Sequence, residues 1–320
     1  MNNYMWRKSF IALAVVALAV PFVSMQSASA LTISPIVIEY DVDPGQTIVG
    51  TFRAQNEGAD TESYYPIVQD FTAGDSAGTP KFSDVSDGRS MAGWVKFDEA
   101  QITLPAGAGN LVHYRISVPE KASPGGYFAG FLLSTSPPNV KGGISVGAAT
   151  GPLVLLNVSG GVIEKGSLQG FSVKSEGTSL PAEFAMDFKN EGTVHVKPVG
   201  VIRITNLFGG TSAVIPVNAE GGNVLPDSNR VFSATWEKEH LGDKASEFSR
   251  EWNNFALGPY TATLVMNYGD TDQVVSEQVS FWVMPWMMIV LFIILLVILA
   301  LLVLQYNKWI VAQAQRSGHR

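Results

Sequence analysis

Gly143-Ile144-Ser145-Val146-Gly147 reproduces the G-x-S-x-G spacing that presents a serine nucleophile on a strained turn between a strand and a helix. That chemistry needs a helix after the serine and a histidine within reach. Here Gly151-Pro152 follows, then the strand-like run Leu153-Val154-Leu155-Leu156. The motif reads as a Gly-rich β connection, and a serine hydrolase would rest on Ser145 alone. His113, His195, His240 and His319 share no metal-ligand spacing, and His113 falls on the outward face of a strand. The pairs Asp41/Asp43, Asp84/Asp87 and Asp270/Asp272 lack the D-x-D-x-D-G order with a distal Glu that builds a calcium loop. Asp270-Thr271-Asp272 after Tyr268-Gly269 reads as a hairpin turn. With no cysteine there is no thiol chemistry, disulfide or Cys-ligated zinc. The sequence predicts a non-enzyme with no catalytic residue, no cofactor and no metal site.

Aromatic side chains are the remaining candidates for ligand contact. Tyr64 and Tyr65 are adjacent, so on a strand one of them points outward. Trp94 alternates with Lys96 and Asp98, opposite Val95 and Phe97, and either caps the core or stands at an exposed strand edge. Between them lies a Gly-, Ser- and Asp-rich insertion, residues 72–93, read as a solvated hairpin or as a ligand-contacting loop. Tyr64, Tyr65 and Trp94 are the predicted ligand-binding residues.

The elements that must carry these residues are strands. Between residues 31 and 284 apolar and polar residues alternate with period two, broken by Gly, Pro, Asn and Asp clusters, as in antiparallel β-sandwiches. The inward sets are Ile48, Phe52 and Ala54; Val112, Tyr114, Ile116 and Val118; Phe184, Met186 and Phe188; and Ala262, Leu264 and Met266. Helical periodicity is scarce; residues 243–252 alone suggest a short helix and read better as an insertion between strands. The same plan occurs twice. Asn56-Glu57-Gly58 is matched by Asn190-Glu191-Gly192, Leu104-Pro105 by Leu225-Pro226, and Gly125-Gly126-Tyr127 by Gly258-Pro259-Tyr260, with an Asn-to-Tyr interval of 71 residues in one copy and 70 in the other. Either tyrosine can latch a sandwich corner through its hydroxyl. The predicted fold is all-β: two tandem immunoglobulin-like antiparallel sandwiches, residues 31–160 and 161–284, followed by one transmembrane helix.

The two ends place the chain at a membrane. Residues 1–30 read as a signal peptide: Arg7 and Lys8 precede an apolar stretch, and Ala28 and Ala30 occupy the positions that define cleavage after Ala30. Residues 285–304 form an apolar run long enough to cross a bilayer as a helix. Trp286 marks one interface, and Tyr306, Lys308 and Trp309 mark the other. Residues 305–320 make a tail with Lys308, Arg316 and Arg320 and no acid, which the positive-inside rule assigns to the cytoplasm. Two of the 21 basic residues lie in the leader and three in the tail, so the body carries 16 against all 28 acidic residues, a net −12. Such a body disfavours nucleic acid as a partner.

The start Leu31-Thr32-Ile33-Ser34-Pro35, the turn Pro44-Gly45-Gln46, and Val118-Pro119 through Pro124-Gly125-Gly126-Tyr127-Phe128-Ala129-Gly130 resemble the first domain of WxL-interacting proteins. Asn190, Leu225-Pro226-Asp227-Ser228 and Leu257-Gly258-Pro259-Tyr260 resemble their second domain. The order of signal, two sandwiches, single span and basic tail is also theirs. The resemblance implies peptidoglycan binding by the first domain and host-surface binding by the second. The expectation is a non-catalytic surface protein on a bacterial-type plasma membrane, its body outside, engaging peptidoglycan or a cell-surface protein. The competing expectation is a scaffold or assembly component of a cell-envelope complex.

Overall fold

A computed structural model describes residues 31–83, 89–137, 149–174, 179–242 and 245–317. The signal segment, Ser145, and Asp84 and Asp87 lie outside the described residues. Strand is the dominant regular element of the described body. β1 (Leu31–Ser34), β3 (Thr47–Asn56), β8 (Gly109–Ser117) and β6 (Val95–Phe97) form one sheet in the order β1-β3-β8-β6. Opposite lies the order β2-β11-β9-β4-β5, from β2 (Val37–Val42), β11 (Leu153–Val158), β9 (Gly125–Ser134), β4 (Glu62–Ala73) and β5 (Pro80–Phe82). β10 (Ala149–Thr150) joins β9, and β7 (Ile102–Leu104) joins β4. Farther along the chain, β12 (Gly166–Val173), β13 (Ala182–Asn190) and β16 (Ser228–Trp236) form a three-stranded sheet. A fourth sheet runs β15-β14-β17-β18, from β15 (Thr211–Val217), β14 (Val199–Asn206), β17 (Gly258–Tyr268) and β18 (Gln273–Val283).

Alternation explains which faces are buried. Phe52 and Ala54 on β3, with Val112, Tyr114 and Ile116 on β8, enter a core that draws only on residues before 160. Phe184, Met186, Phe188, Ala262, Leu264 and Met266 enter a second core, drawn only from residues after 170. The inward sets read from period two are buried except for Ile48, which is half-buried against the first core. One pairing departs from the antiparallel expectation: β2 runs parallel to β11, Val37 opposite Leu153 through Val42 opposite Val158. The first strand segment crosses from one sheet to the other after Ser34, so β2 meets the last strand of its sheet heading the same way.

The matched landmarks have matched geometry. Asn56 and Asn190 are both fully buried at strand ends. Each side-chain oxygen accepts the amide two residues on, Gly58 at 2.9 Å and Gly192 at 2.8 Å. Each side-chain nitrogen donates to the carbonyl four residues on, Asp60 and Val194, and to a distant carbonyl, Leu104 or Val224. Gly125 and Gly258, which open the matched strands, both take positive φ, 134° and 109°. The tyrosines differ. Tyr127 donates its hydroxyl to the Ser123 carbonyl at 2.9 Å, closing a corner, whereas the Tyr260 ring packs on Trp236 and Phe281.

The insertion between β16 and β17 does contain a helix, α1 (Glu247–Asn253), started by Ser246, whose hydroxyl accepts the Ser249 amide. Buried Asn254 ties it down, accepting the amides of Lys238 and Glu239 and donating to the Glu239 carbonyl. The last element is α2 (Trp286–Ser317). Its segment Trp286–Val311 is long and apolar enough to cross a membrane, and none of its most apolar stretch is buried against the body. The helix does not stop at residue 304: Gln305, Tyr306 and Asn307 carry it on, because no Gly or Pro interrupts it before Gly318.

Candidate functional site

The aromatic trio does not assemble into one surface. Tyr64 is only 1% exposed and belongs to the first core, so it has no surface to offer a ligand. Tyr65 points the other way and is partly exposed, opposite Ser134 of β9. Trp94 is half-buried, its ring 4.5 Å from that of Tyr127, and it packs on the first core as a cap. Tyr127 and Ser134 are seven residues apart on β9, about 23 Å along the strand at ~3.3 Å per residue. Tyr65 and Trp94 therefore flank opposite ends of one strand, and no single ligand ring touches both.

The described start of the 72–93 insertion is docked rather than free in solvent. Asp75 closes its tip by accepting the amides of Ala77 and Thr79 at 2.9 and 3.1 Å. The Ser76 carbonyl then accepts the Val231 amide of β16 at 2.7 Å, so the tip is docked on the later sheets. The Arg230 guanidinium passes close to Gly78 and Gly222, lies 5.4 Å from the Phe232 ring, and donates to the Asn223 carbonyl at 2.8 Å. Beside this contact β2 brings Glu39 to Lys197 at 2.9 Å and to the Asn223 amide at 2.6 Å. Burial alone would raise the Glu39 pKa; the hydrogen bonds from Asn223 and Lys197 and the Lys197 charge outweigh it and hold the carboxyl below its ordinary value.

These contacts enclose a cleft of about 680 Å³ between the earlier and the later sheets. Its apolar lining includes Ile36, Val37, Leu153 and Leu155, with Ile36 standing 73% exposed. Asp75, Glu220, Lys197, Arg230 and the amides Asn218, Asn223 and Asn229 supply polar groups of both signs. The one aromatic lining side chain, Phe71, is itself only 4% exposed.

A second cavity of about 290 Å³ shares Glu39, Lys197 and Asn223 with the first and is strongly acidic, with Asp41, Glu164, Asp270 and Asp272 around His195. Three buried side-chain atoms without a partner among the described residues, Asn157 Oδ1, His195 Nδ1 and Asn223 Oδ1, belong to residues of this cavity. Burial is the main cause that lowers the His195 pKa and keeps the imidazole neutral, against the opposing pull of Glu39, Asp41 and Asp270. No group of three His, Asp, Glu or Cys among the described residues is placed to hold a metal ion. Asp41 instead accepts from Asn157, and Asp43 from Ser159. Asp272, at φ 50°, closes the β17–β18 turn onto Gly269, as its sequence context indicates. The sequence offered no signal for the Glu39–Lys197–Asn223 group, in which Glu39 precedes both partners by more than 150 residues.

No protein-family model matches the chain, and no curated protein is significantly similar to it. Among solved structures, the chain is similar to a chaperone–tip adhesin complex of CFA/I fimbriae, with 12% identity over 78% of this chain and 98% of that one, at a TM-score of 0.36. It is similar to the YadV chaperone, with 11% identity over 78% and 99%, at a TM-score of 0.34. It is similar also to the CsuC–CsuE chaperone–tip adhesion subunit complex of Acinetobacter baumannii, with 15% identity over 64% and 90%, at a TM-score of 0.33. Likenesses this weak carry no functional argument.

Proposed function

We propose that this chain is a membrane-anchored, non-catalytic binding protein of the cell surface, of the WxL-interacting kind. In this reading residues 31–160 and 161–284 are tandem immunoglobulin-like sandwiches, secreted behind the 1–30 signal and held by one span, with the tail in the cytoplasm. The cleft between the sheet pairs is its ligand seat, and the observation that supports this is the exposed Ile36 beside Val37 and Leu153 within a rim of both charges. An aliphatic floor without an exposed aromatic suits the side chains of a protein segment better than the sugar rings of a glycan strand, which stack on aromatic faces. The ligand favoured here is accordingly a segment of a cell-surface protein, with peptidoglycan as the other outcome of the test.

The test uses the full chain in detergent micelles, offered separately to purified cell wall and to solubilised envelope proteins. Retention of a protein by the native chain and its loss with Ile36→Asp supports the reading. Retention on cell wall instead would make the ligand peptidoglycan. Retention unchanged by Ile36→Asp would remove the cleft from binding and favour a scaffold in which other surfaces organise partners.

A further inference from the structure

Helix α2 begins in an unusual way. Pro285 accepts the Ile289 amide at 3.0 Å and so stands where a capping residue stands, but its ring has no acceptor for the next free amides. The acceptor arrives from another element. Glu251 of α1 is only 7% exposed, and its Oε2 accepts the amides of Met287 at 2.8 Å and Met288 at 3.2 Å. Negative charge at a helix start is favoured by the helix dipole, and amides near hydrocarbon need a partner. The carboxylate therefore pins α1 against the first turn of α2.

This contact sets the height of α1. The stretch from Trp286 to Gln305, where the first amide side chain appears, is about 30 Å of helix, one hydrocarbon thickness. Met287 and Met288 then lie at its outer boundary, with Glu251 beside them. Between hydrocarbon and water the headgroup layer is only about 5–7 Å deep on each side. A helix touching Met287 lies within that layer.

The side chains around Glu251 suit that position. Phe248 and Trp252, one helical turn apart on α1, stack at 6.2 Å and are 44% and 58% exposed. Phe255 and Leu257 follow, 46% and 56% exposed, leading into Gly258, which pairs with Val283 at the end of β18. Trp282 and Trp286, 64% and 56% exposed, flank the same strand end. Six large apolar side chains thus stand uncovered around one helix entry, where Trp and other amphipathic aromatics are favoured. We propose that α1 and the adjoining strand ends form a seat for the outer lipid headgroup layer, fixing the body's orientation on the membrane. The proposal rests on the reading that α2 spans a bilayer, and its occupant is lipid, not a second protein.

Because the chain lacks cysteine, a single introduced thiol reports one place without ambiguity. Full-length Phe248→Cys, Trp252→Cys, Thr51→Cys and Leu296→Cys, each labelled with bimane, are reconstituted into phosphatidylcholine vesicles. The lipid is unbrominated, brominated near the headgroup or brominated near the chain ends. The expected result is fluorescence loss at 248 and 252 with the shallow bromolipid, loss at 296 with the deep one, and none at 51. Either α1 variant suffices if the other misfolds, as judged by its near-ultraviolet circular dichroism. If 248 and 252 behave like 51 while 296 is quenched, the seat is refuted and the span stands. If 248 and 252 are shielded from both bromolipid and aqueous iodide, a protein covers this face and the proposal fails. Absence of quenching at 296 would overturn the span itself, and the seat with it.

Discussion

Asn56 and Asn190 do the same work 134 positions apart in sequence: each, wholly buried, binds the amide two residues on, the carbonyl four residues on and a carbonyl from a later turn. One side chain thus holds a strand end, its turn and a returning segment together. Replacement by alanine leaves buried groups on all three without partners. Asn56→Ala and Asn190→Ala are each expected to cost about 1–3 kcal/mol. Amide exchange at Gly58 and Gly192 should quicken in the corresponding variant and not in the other. Slow exchange retained at both glycines would show that the turns stand without the asparagine.

The two tyrosines at matched positions should respond unequally. Tyr127→Phe removes the hydroxyl bond to the Ser123 carbonyl and is expected to cost about 1 kcal/mol. Tyr260→Phe keeps the ring contacts with Trp236 and Phe281 and should change stability by less. Chemical unfolding of both variants tests this, and equal losses would contradict the asymmetry.

Stability should fall on mild acidification through His195. Its folded pKa is lowered, chiefly by burial, so the unfolded state takes up the proton first. The stabilising contribution is complete above the unfolded value of about 6.5 and is lost as pH falls below it toward the folded value. Melting temperature measured between neutral pH and pH 5 should decline less in His195→Gln than in the native chain. Parallel curves would mean that other groups govern this range.

Glu251→Ala should free the start of α2 without unfolding either core. Two helix amides lose a charged acceptor, and hydrogen bonds to charged groups are worth about 1.5–3 kcal/mol. The readout is faster exchange at Met287 and Met288 in the full chain in micelles, with the Asn190 turn unaffected. Glu251→Gln, which keeps an acceptor oxygen, should restore part of the protection.

In the cleft, Ile36→Asp should leave folding intact, because the side chain is 73% exposed. If the cleft holds an aliphatic anchor worth about 1.4 kcal/mol, capture should weaken about tenfold. An unchanged titration of the captured protein would place its anchor elsewhere.

Much of this architecture is local and therefore legible in order along the chain. Period two in residues 47–56 or 182–190 decides which side chains face a core, because alternate strand residues point to opposite faces. The repeat was readable because a buried Asn with a glycine two residues later makes short-range bonds that tolerate little variation. The apolar run after Pro285 declared its helix by length alone. Local reading could not decide which of Tyr64 and Tyr65 turns inward, since alternation sets their opposition and only packing sets the sign. It left the 72–93 insertion as a solvated hairpin or a ligand-contacting loop because the partner that docks its tip, β16, comes about 150 residues later. The same holds for Glu39 with Lys197 and Asn223, and for Glu251 with the start of α2. Such pairs depend on how separately built sheets and helices come to rest against one another, which periodicity does not encode.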